Sequence, residues 1–234
     1  MLLRVSTAVF QCREIRRAAT AIEKRRQFVP RQRLFIQEDL TARLMSAAMQ
    51  QERKDEAMLY LVSYAFLLRV PSEALPMVKS SSGRPHGEHS SIFMGISCIY
   101  LKLASRKNRP YGSLLKRSCW CARNRDTCPV HVLGEHIRSL PDGAPLFPNI
   151  TRYSALRLLR TRLEELRVPD AGQYRTQDFR RGHAKDLQVR GASVKDILTA
   201  GEWKSPAYLK YQDLELLEHD FVVQARLDDS SGED

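Results

Sequence analysis

The sequence contains no long apolar run. No segment of its 234 residues approaches the roughly 18 consecutive apolar residues that a membrane-spanning helix needs. The first residues are mildly apolar, but the charged stretch Arg13-Glu14-Ile15-Arg16-Arg17 follows, so the apolar core of a secretory signal is missing. We therefore expect an intracellular protein with no membrane partner.

Cysteine is scarce as well. The chain has five cysteines, an odd number at uneven spacing. Small secreted domains that depend on disulfides carry an even set of cysteines, because each bridge uses two thiols. The pattern argues against a disulfide framework and leaves the thiols for the core or for a metal.

Acidic residues are outnumbered by basic ones. The chain has 27 Asp and Glu against 38 Lys and Arg, which gives a formal net charge of +11. Residues 228–234 hold four of the acidic groups, so the body of the chain is more basic than the total suggests, and we expect these residues to form an acidic disordered tail. A surplus of this size favours a polyanionic partner, with nucleic acid ahead of a membrane surface.

The composition permits one large domain. Apolar residues make up 43% of the chain, which is enough to bury a core. Residues 1–33 are rich in arginine and carry too little apolar surface to fold alone. We interpret them as a basic helical linker or as the remnant of an N-terminal DNA-binding domain, and we assign residues 34–227 to the main domain.

The apolar pattern of the main domain predicts a mostly α-helical fold with a small β-hairpin sheet, an α+β class. Asp39 or Thr41 is expected to cap a helix that runs through Met49. A second helix, Asp55–Leu68, has apolar residues around most of its circumference, which predicts that it is buried. We further predict a loop over 79–91, a hairpin of strands over 92–103 and 111–116 with a basic tip at 106–110, and helices over 132–139, 151–166, 176–190, 194–200 and 206–226.

Arginines stand in two motifs far apart in the chain. The first is Arg69-Val70-Pro71-Ser72-Glu73-Ala74-Leu75, and the second is Gln177-Asp178-Phe179-Arg180. Farther on lie Gly201-Glu202-Trp203 and, eight residues after the tryptophan, Tyr211. If the fold brings Arg69 beside Arg180, the two guanidinium groups form a clamp for phosphate. Taken singly, such arginines and tyrosines are more often helix-end contacts, solvated turns or core residues.

In this order and spacing the motifs resemble those of the tyrosine recombinases, the phage-integrase-like site-specific recombinases. They are most similar to the catalytic domains of eukaryotic mobile elements of the crypton type, and the similarity covers about residues 34–227. The family has an arginine followed by Ser-Glu-Leu, where this chain has one extra residue. The resemblance implies a tyrosine-recombinase catalytic-domain fold, double-stranded DNA as substrate, a homo-oligomer on DNA and a nuclear location. It implies neither a nucleotide cofactor nor a catalytic metal.

The resemblance also implies roles for individual residues. Tyr211 matches the nucleophile, with Tyr208 as the weaker candidate, and Arg69 and Arg180 match the two catalytic arginines. A tyrosine with an ordinary pKa near 10 needs neighbouring cations before it attacks at neutral pH. Donors fixed around the phosphate oxygens, here the two arginines and the indole N–H of Trp203, give the largest gain in rate.

Two further positions follow from the same comparison. A lysine on the hairpin serves the family as general acid, which points to Lys107 with Lys102 as the alternative. Gln177 stands where the family has a histidine, and its amide can donate a hydrogen bond. Two other functions stay open: a catalytically inactive DNA-binding relic of such an enzyme, and a zinc-stapled interaction module. A Tyr211 variant separates the enzyme from the relic.

A cysteine and histidine cluster predicts a metal site apart from these motifs. Cys119, Cys121, Cys128 and His131 place three thiols and one imidazole within thirteen residues. Zinc favours four such ligands in a tetrahedron, and the zinc would staple a loop that lacks a core of its own. His136 could replace His131 as a ligand. The alternative is a set of buried structural thiols beside a surface histidine.

Overall fold

The computed structural model describes residues 17, 20, 21, 33–81, 83, 89–106 and 109–203. The chain divides into two compact units, Met1–Arg33 and Leu34–Asp234. In the first unit, the described residues 17, 20 and 21 are helical. The described residues of the second unit form α-helices and a small mixed sheet, so the predicted α+β class is confirmed. The helices are α1 Glu38–Gln50, α2 Lys54–Ala65, α3 Gly134–Ser139, α4 Arg152–Glu165, α5 Asp178–Val189 and α6 Val194–Gly201, and the strands are β1 Val78–Lys79, β2 Ser91–Met94, β3 Cys98–Leu103 and β4 Ser113–Ser118.

Helix α2 is the centre of the second unit. Ten of its twelve residues are buried, which confirms the prediction of a buried second helix. The helix ends at Ala65, earlier than predicted, because Leu67 takes the left-handed backbone conformation with φ of 51°. Arg117 of β4 donates to the carbonyl of Ala65 at 2.6 Å. Arg69 therefore lies beyond the end of the helix, in extended backbone just before a π-helical turn, Val70–Ala74.

The sheet is larger than the predicted hairpin. Its strand order is β1-β2-β3-β4, with β1 and β2 parallel and the other pairs antiparallel. The predicted loop over 79–91 was wrong at its first and last residues, because Lys79 is paired with Ile92 in the sheet and Ser91 begins β2. The single strand predicted over 92–103 is two strands, since a tight turn interrupts it, in which Gly95 N–H donates to the carbonyl of Cys98 at 2.8 Å.

Helix α1 begins at Glu38 without the predicted cap. Its N-cap residue, Gln37, makes no capping contact through its own side chain, and neither Asp39 nor Thr41 takes that role. Asp186 of α5 caps the helix instead: its carboxylate accepts from the Glu38 N–H at 2.9 Å and from the Gln37 amide at 2.8 Å. The sequence pattern near α1 could not reveal this cap, because the accepting carboxylate lies far away in the chain.

The remaining elements agree more closely with the prediction. Helix α4 begins after Thr151, whose side chain forms a reciprocal capping box with Ser154. A second π-helical turn, Pro129–Leu133, runs directly into α3. The predicted helix over 206–226 and the tail over 228–234 lie outside the described residues. None of the helices in the described part of the chain combines the length and the apolar character that a membrane crossing requires.

Gly182 allows α5 to lie directly against the chain before α1. A β-carbon at this position would meet the carbonyl oxygen of Ile36 at 1.8 Å. We expect Gly182→Ala to lower the free energy of unfolding by at least about 2 kcal/mol, because the backbone of two elements must separate. Gly172→Ala is the matched control, since a β-carbon there has nothing within 4 Å. Urea denaturation of both variants measures the difference, and equal stabilities would contradict the packing described.

Candidate functional site

A single buried carboxylate gathers three arginines from distant parts of the chain. Glu73, in the π-helical turn, is 2% exposed. It accepts from the backbone N–H of Arg69 at 2.8 Å and from the Arg69 side chain at 2.7 Å. Arg106 donates to both of its oxygens at 3.1 Å, and Nη1 of Arg180 lies 3.8 Å away. We call Glu73, Arg69, Arg106 and Arg180 the cation cluster.

Arg180 is held from several directions. It lies on the first turns of α5 and is only 1% exposed. Its Nη2 donates to the carbonyl of Gly201 at 2.6 Å, and its guanidinium carbon lies 4.6 Å from the centroid of the Trp203 ring. The structure thus brings together Arg69, Arg180 and Trp203, three residues that the motifs singled out.

Arg106 is the member of the cluster that sequence reasoning missed. It lies in the basic hairpin tip, next to the predicted general acid Lys107, yet its side chain is only 2% exposed. Besides Glu73, it binds Glu202 at 2.9 Å and the carbonyl of Leu67 at 3.1 Å. The sequence around Arg106 carries no signal of this burial, because the run Arg106-Lys107-Asn108-Arg109 suits an exposed basic turn equally well.

The charges of this network favour its ionised state. Burial raises the pKa of Glu73, but the hydrogen bonds and charge of Arg106 outweigh that effect and bring the pKa below its usual value. Burial likewise disfavours the charged form of Arg106, while Glu73 and Glu202 raise its pKa above the ordinary arginine value. Both partners are therefore charged at neutral pH, which is what a fixed array of cations requires.

The cluster borders an open basic cleft of about 670 Å³. Arg69 is the member of the cluster that lines this cleft, and its side chain is 32% exposed. Gln177, at the start of α5, lies in the same wall. Among the described residues that line the cleft, none is acidic. They are Arg69, Val70, Pro71, Ser72, Arg152, Leu156, Arg160, Arg175, Thr176 and Gln177.

Three of the cleft arginines come from elements that the motifs do not include. Arg152 and Arg160 lie on α4, and Arg175 precedes α5. Arg160 is oriented by a hydrogen bond from its Nε to the carbonyl of Tyr174 at 3.1 Å. Arg152 and Arg175 are exposed. The cleft therefore presents four guanidinium groups to an anion, more than the two that the motifs predicted.

Other predicted site residues lie outside the described residues. They are Lys107, the proposed general acid, and both tyrosine candidates, Tyr211 and Tyr208. Lys102, the alternative general acid, is in β3 and is paired with Ser91 and Leu114 across the sheet. The positions of the nucleophile and the general acid relative to the cation cluster thus stay predictions.

The cysteine and histidine cluster is assembled as the spacing predicted. The ligand atoms of Cys119, Cys121, Cys128 and His131 all lie within 4.8 Å of one another. Nδ1 of His131 is 3.6, 3.0 and 3.4 Å from the sulfurs of Cys119, Cys121 and Cys128, and the sulfurs of Cys119 and Cys128 are 3.7 Å apart. A zinc tetrahedron with bonds of about 2.3 Å to sulfur has edges of about 3.8 Å. These four residues could hold a metal ion.

The surroundings of the cluster favour the thiolate at Cys128 and oppose it at Cys121. Burial and the neighbouring sulfurs of Cys128 and Cys119 raise the pKa of Cys121 to about 12. Burial opposes ionisation of Cys128, but hydrogen bonds with His131 and from the Trp120 N–H lower its pKa to about 6. Metal ions bind the deprotonated thiol, so a lowered pKa assists binding at neutral pH. His136, the alternative ligand, is buried in α3, and it is not among the four residues whose ligand atoms converge.

The metal loop, residues 119–131, is fastened to α1 and α5. The hydroxyl of Thr127 donates to Glu38 at 2.7 Å, and Arg123 pairs with Glu38 at 3.1 Å. The Trp120 ring meets the ring of His183, on α5, edge to face at 6.1 Å between centroids. The helix that carries Arg180 therefore contacts this loop as well.

Comparison of the chain with protein-family models gives no match, and comparison with curated proteins finds no similar one.

Proposed function

We propose that this chain is a DNA strand transferase of the tyrosine recombinase type, which cleaves and rejoins duplex DNA through a 3′-phosphotyrosyl link at Tyr211. The supporting observation is that Arg69 and Arg180, from distant motifs, both reach Glu73 beside a basic cleft. The specific fold of a recombinase catalytic domain, a homo-oligomer on DNA and a nuclear location belong to the same proposal.

The cleft has the chemistry of a phosphate track. Four guanidinium groups line it, and Val70, Pro71 and Leu156 lie between them. Arg152 and Arg160 are two turns apart on α4, about 12 Å along the helix axis at 1.5 Å per residue. Guanidinium groups bind phosphate oxygens in pairs, while the apolar side chains suit the sugars. We infer that the DNA backbone follows α4 through the cleft as far as Arg69.

The cation cluster suits the reacting phosphate. Arg69 donates to a non-bridging oxygen, and Arg180 adds positive potential from its fixed place behind Glu73. Because these groups are already held by Glu73, Gly201 and Trp203, they need little reorganisation as charge builds in the transition state. Preorganised donors of this kind give the largest single contribution to rate in such reactions.

The proposed step is balanced without a further reactant. Tyr211 releases its phenol proton to water, its oxygen attacks phosphorus, a P–O bond to tyrosine forms and the bond to the 5′ oxygen breaks. Lys107 transfers a proton to the departing oxygen as general acid and is reprotonated from water afterwards. Rejoining reverses these events, so the bond energy is retained in the covalent intermediate and no ATP is consumed.

A catalytically inactive DNA-binding relic is the second candidate. Gln177 lines the cleft in place of the family's histidine, and an amide does not exchange protons as an imidazole does. The four cleft arginines would still bind DNA without a nucleophile. The enzyme and the relic therefore differ in what Tyr211 does, while they share the cleft.

The enzyme and the DNA-binding relic predict the same effect of removing an arginine from the cleft. We expect Arg152→Ala or Arg175→Ala to weaken binding of a random-sequence duplex severalfold and to reduce the slope of log K against log salt by about 0.9, the value for one lost phosphate contact. Fluorescence anisotropy at several NaCl concentrations measures both quantities. Arg138→Ala is the control, because this exposed arginine lies outside the cleft. Equal losses in all three variants would contradict a defined track.

The chemistry is tested by covalent trapping. Incubated with a pool of randomised nicked duplexes, the wild-type chain should form an SDS-resistant adduct, and Tyr211→Phe should form none while it binds duplex DNA as before. Tyr208→Phe is the control and should retain the adduct. If the wild type forms no adduct although it binds duplex DNA, the enzyme is excluded in favour of the relic.

We also propose that the metal loop holds a structural zinc ion. Four ligand atoms within 4.8 Å of one another, three of them thiol sulfurs, match the donor set that zinc prefers. Zinc would tie the end of β4 to the turn before α3. The metal loop is also compatible with the alternative function, an interaction module whose basic surface would serve protein or RNA. Loss of stability on chelation, without a preference for duplex DNA, would favour that module.

Metal binding is tested separately from DNA chemistry. Native mass spectrometry should show one zinc ion per chain, and cobalt substitution should give the visible absorption of tetrahedral thiolate coordination. We expect Cys128→Ser to lose both signals and to unfold at a lower temperature. Cys98→Ser is the control, because this cysteine is in β3 and is not part of the metal cluster. An unchanged metal content in Cys128→Ser would reject the site.

A further inference from the structure

The guanidinium group of Arg106 joins three separate segments of the chain. Its Nε and Nη2 each donate to Glu73 at 3.1 Å. Nη2 also donates to the carbonyl of Leu67, and Nη1 donates to Glu202 at 2.9 Å. The group therefore ties the hairpin to the residues that follow α2 and to the residue that follows α6.

Both carboxylate partners of Arg106 are linked to the other arginines of the cation cluster. Glu73 binds Arg69 and lies beside Arg180. Glu202 stands between Gly201, whose carbonyl binds Arg180, and Trp203, whose ring lies against the same guanidinium group. A displacement of Arg106 would consequently disturb the supports of both arginines.

Arg106 also fixes the hairpin tip. Its backbone exchanges two hydrogen bonds with Arg109, each 2.9 Å between nitrogen and oxygen, and this pair brackets residues 107–108. The side chain of Arg106 is 2% exposed, whereas that of Arg109 is 53% exposed. Burial keeps the Arg106 group from a phosphate in the cleft, so its contribution must act through its neighbours.

The contact geometry requires an arginine. The four hydrogen bonds come from three nitrogens of one planar group and reach two carboxylates and a carbonyl. A lysine would keep the charge, but its single ammonium cannot span partners on opposite sides. The arrangement therefore depends on the shape of the fork as well as on its charge.

We propose that Arg106 is a positioning residue that fastens the hairpin tip to Glu73 and Glu202, so that Lys107 is presented to the phosphate bound at Arg69. The presentation of Lys107 rests on the proposed strand-transfer function. The fastening does not, because it follows from the contacts of Arg106 with Glu73, Leu67 and Glu202. The two parts can be tested by separate measurements.

The fastening is tested by amide hydrogen exchange. We expect Arg106→Lys to speed exchange at least tenfold in two segments, 104–112 at the hairpin and 198–203 at the end of α6, while α2 stays protected. Glu202→Gln should speed exchange in the same two segments to a smaller extent, and it serves if Arg106→Lys does not fold. Arg109 Nε also lies 3.9 Å from Glu202, but this side chain is 53% exposed. Arg109→Lys keeps the charge, so it is the matched control on the same tip and should leave 198–203 unchanged. Acceleration confined to the hairpin would overturn the proposal.

The presentation of Lys107 is tested by single-turnover adduct formation at saturating DNA. Arg106→Lys should slow the adduct at least tenfold, while the Kd for duplex DNA stays within about threefold and the salt slope is unchanged. A lower affinity with a slope reduced by about one would identify Arg106 as a direct phosphate ligand and would overturn the positioning role. If the wild type forms no adduct, the strand-transfer function fails, and the exchange measurement still decides the fastening.

Discussion

The structure of the site depends on one carboxylate. Glu73 is buried among Arg69, Arg106 and Arg180, and without it three positive charges would face one another in a poorly solvated space. Removing one partner of a buried ion pair typically costs about 3–5 kcal/mol, because the other charge stays desolvated. Glu73 therefore sets both the stability of this region and the orientation of the arginines. The three arginines carry more positive charge than Glu73 neutralises, and Arg69 is the one that presents this charge to the cleft.

Helix α5 connects this cluster to the metal loop. Its first turns carry Arg180, and one turn later His183 stacks on Tyr64 of α2 and meets Trp120 of the loop. Asp186 follows on the same side, where it accepts a hydrogen bond from the Tyr64 hydroxyl at 2.6 Å and caps α1. One short helix thus aligns the arginine site, the central helix and the cysteine cluster. Arg180, His183 and Asp186 are buried, and each has a hydrogen-bond partner outside α5.

Much of the architecture could be predicted from apolar periodicity and turn residues. The burial of α2, the approximate bounds of α4 and the composition of the metal cluster followed from local spacing, which is set by helix geometry and ligand chemistry. The cap of α1 and the end of α2 were wrong, and each involves a residue far away in the sequence, Asp186 or Arg117. The end residues of the predicted loop and the single strand over 92–103 were wrong as well, the strand because a local turn divides it.

The residues of the candidate site were likewise predicted only in part. Arg69, Arg180 and Trp203 were predicted because their motifs have a recognisable order, and the fold does bring them together. Arg106 and the arginines of α4 were missed, since nothing in a single sequence distinguishes a buried or cleft-lining arginine from a solvated one. Their roles arise from pairing across the sheet and from the packing of α4 near the π-helical turn.

The end of α2 has a consequence for how the chain folds. The carbonyls of Ala65 and Leu67 are satisfied by Arg117 and Arg106, which the sheet supplies. In an isolated helix these carbonyls would point into water, and Leu67 would have little reason to take its left-handed backbone conformation. The last turn of α2 and the docking of the sheet therefore form in one cooperative step. Because this step closes long loops, we expect it to follow the formation of the local helices.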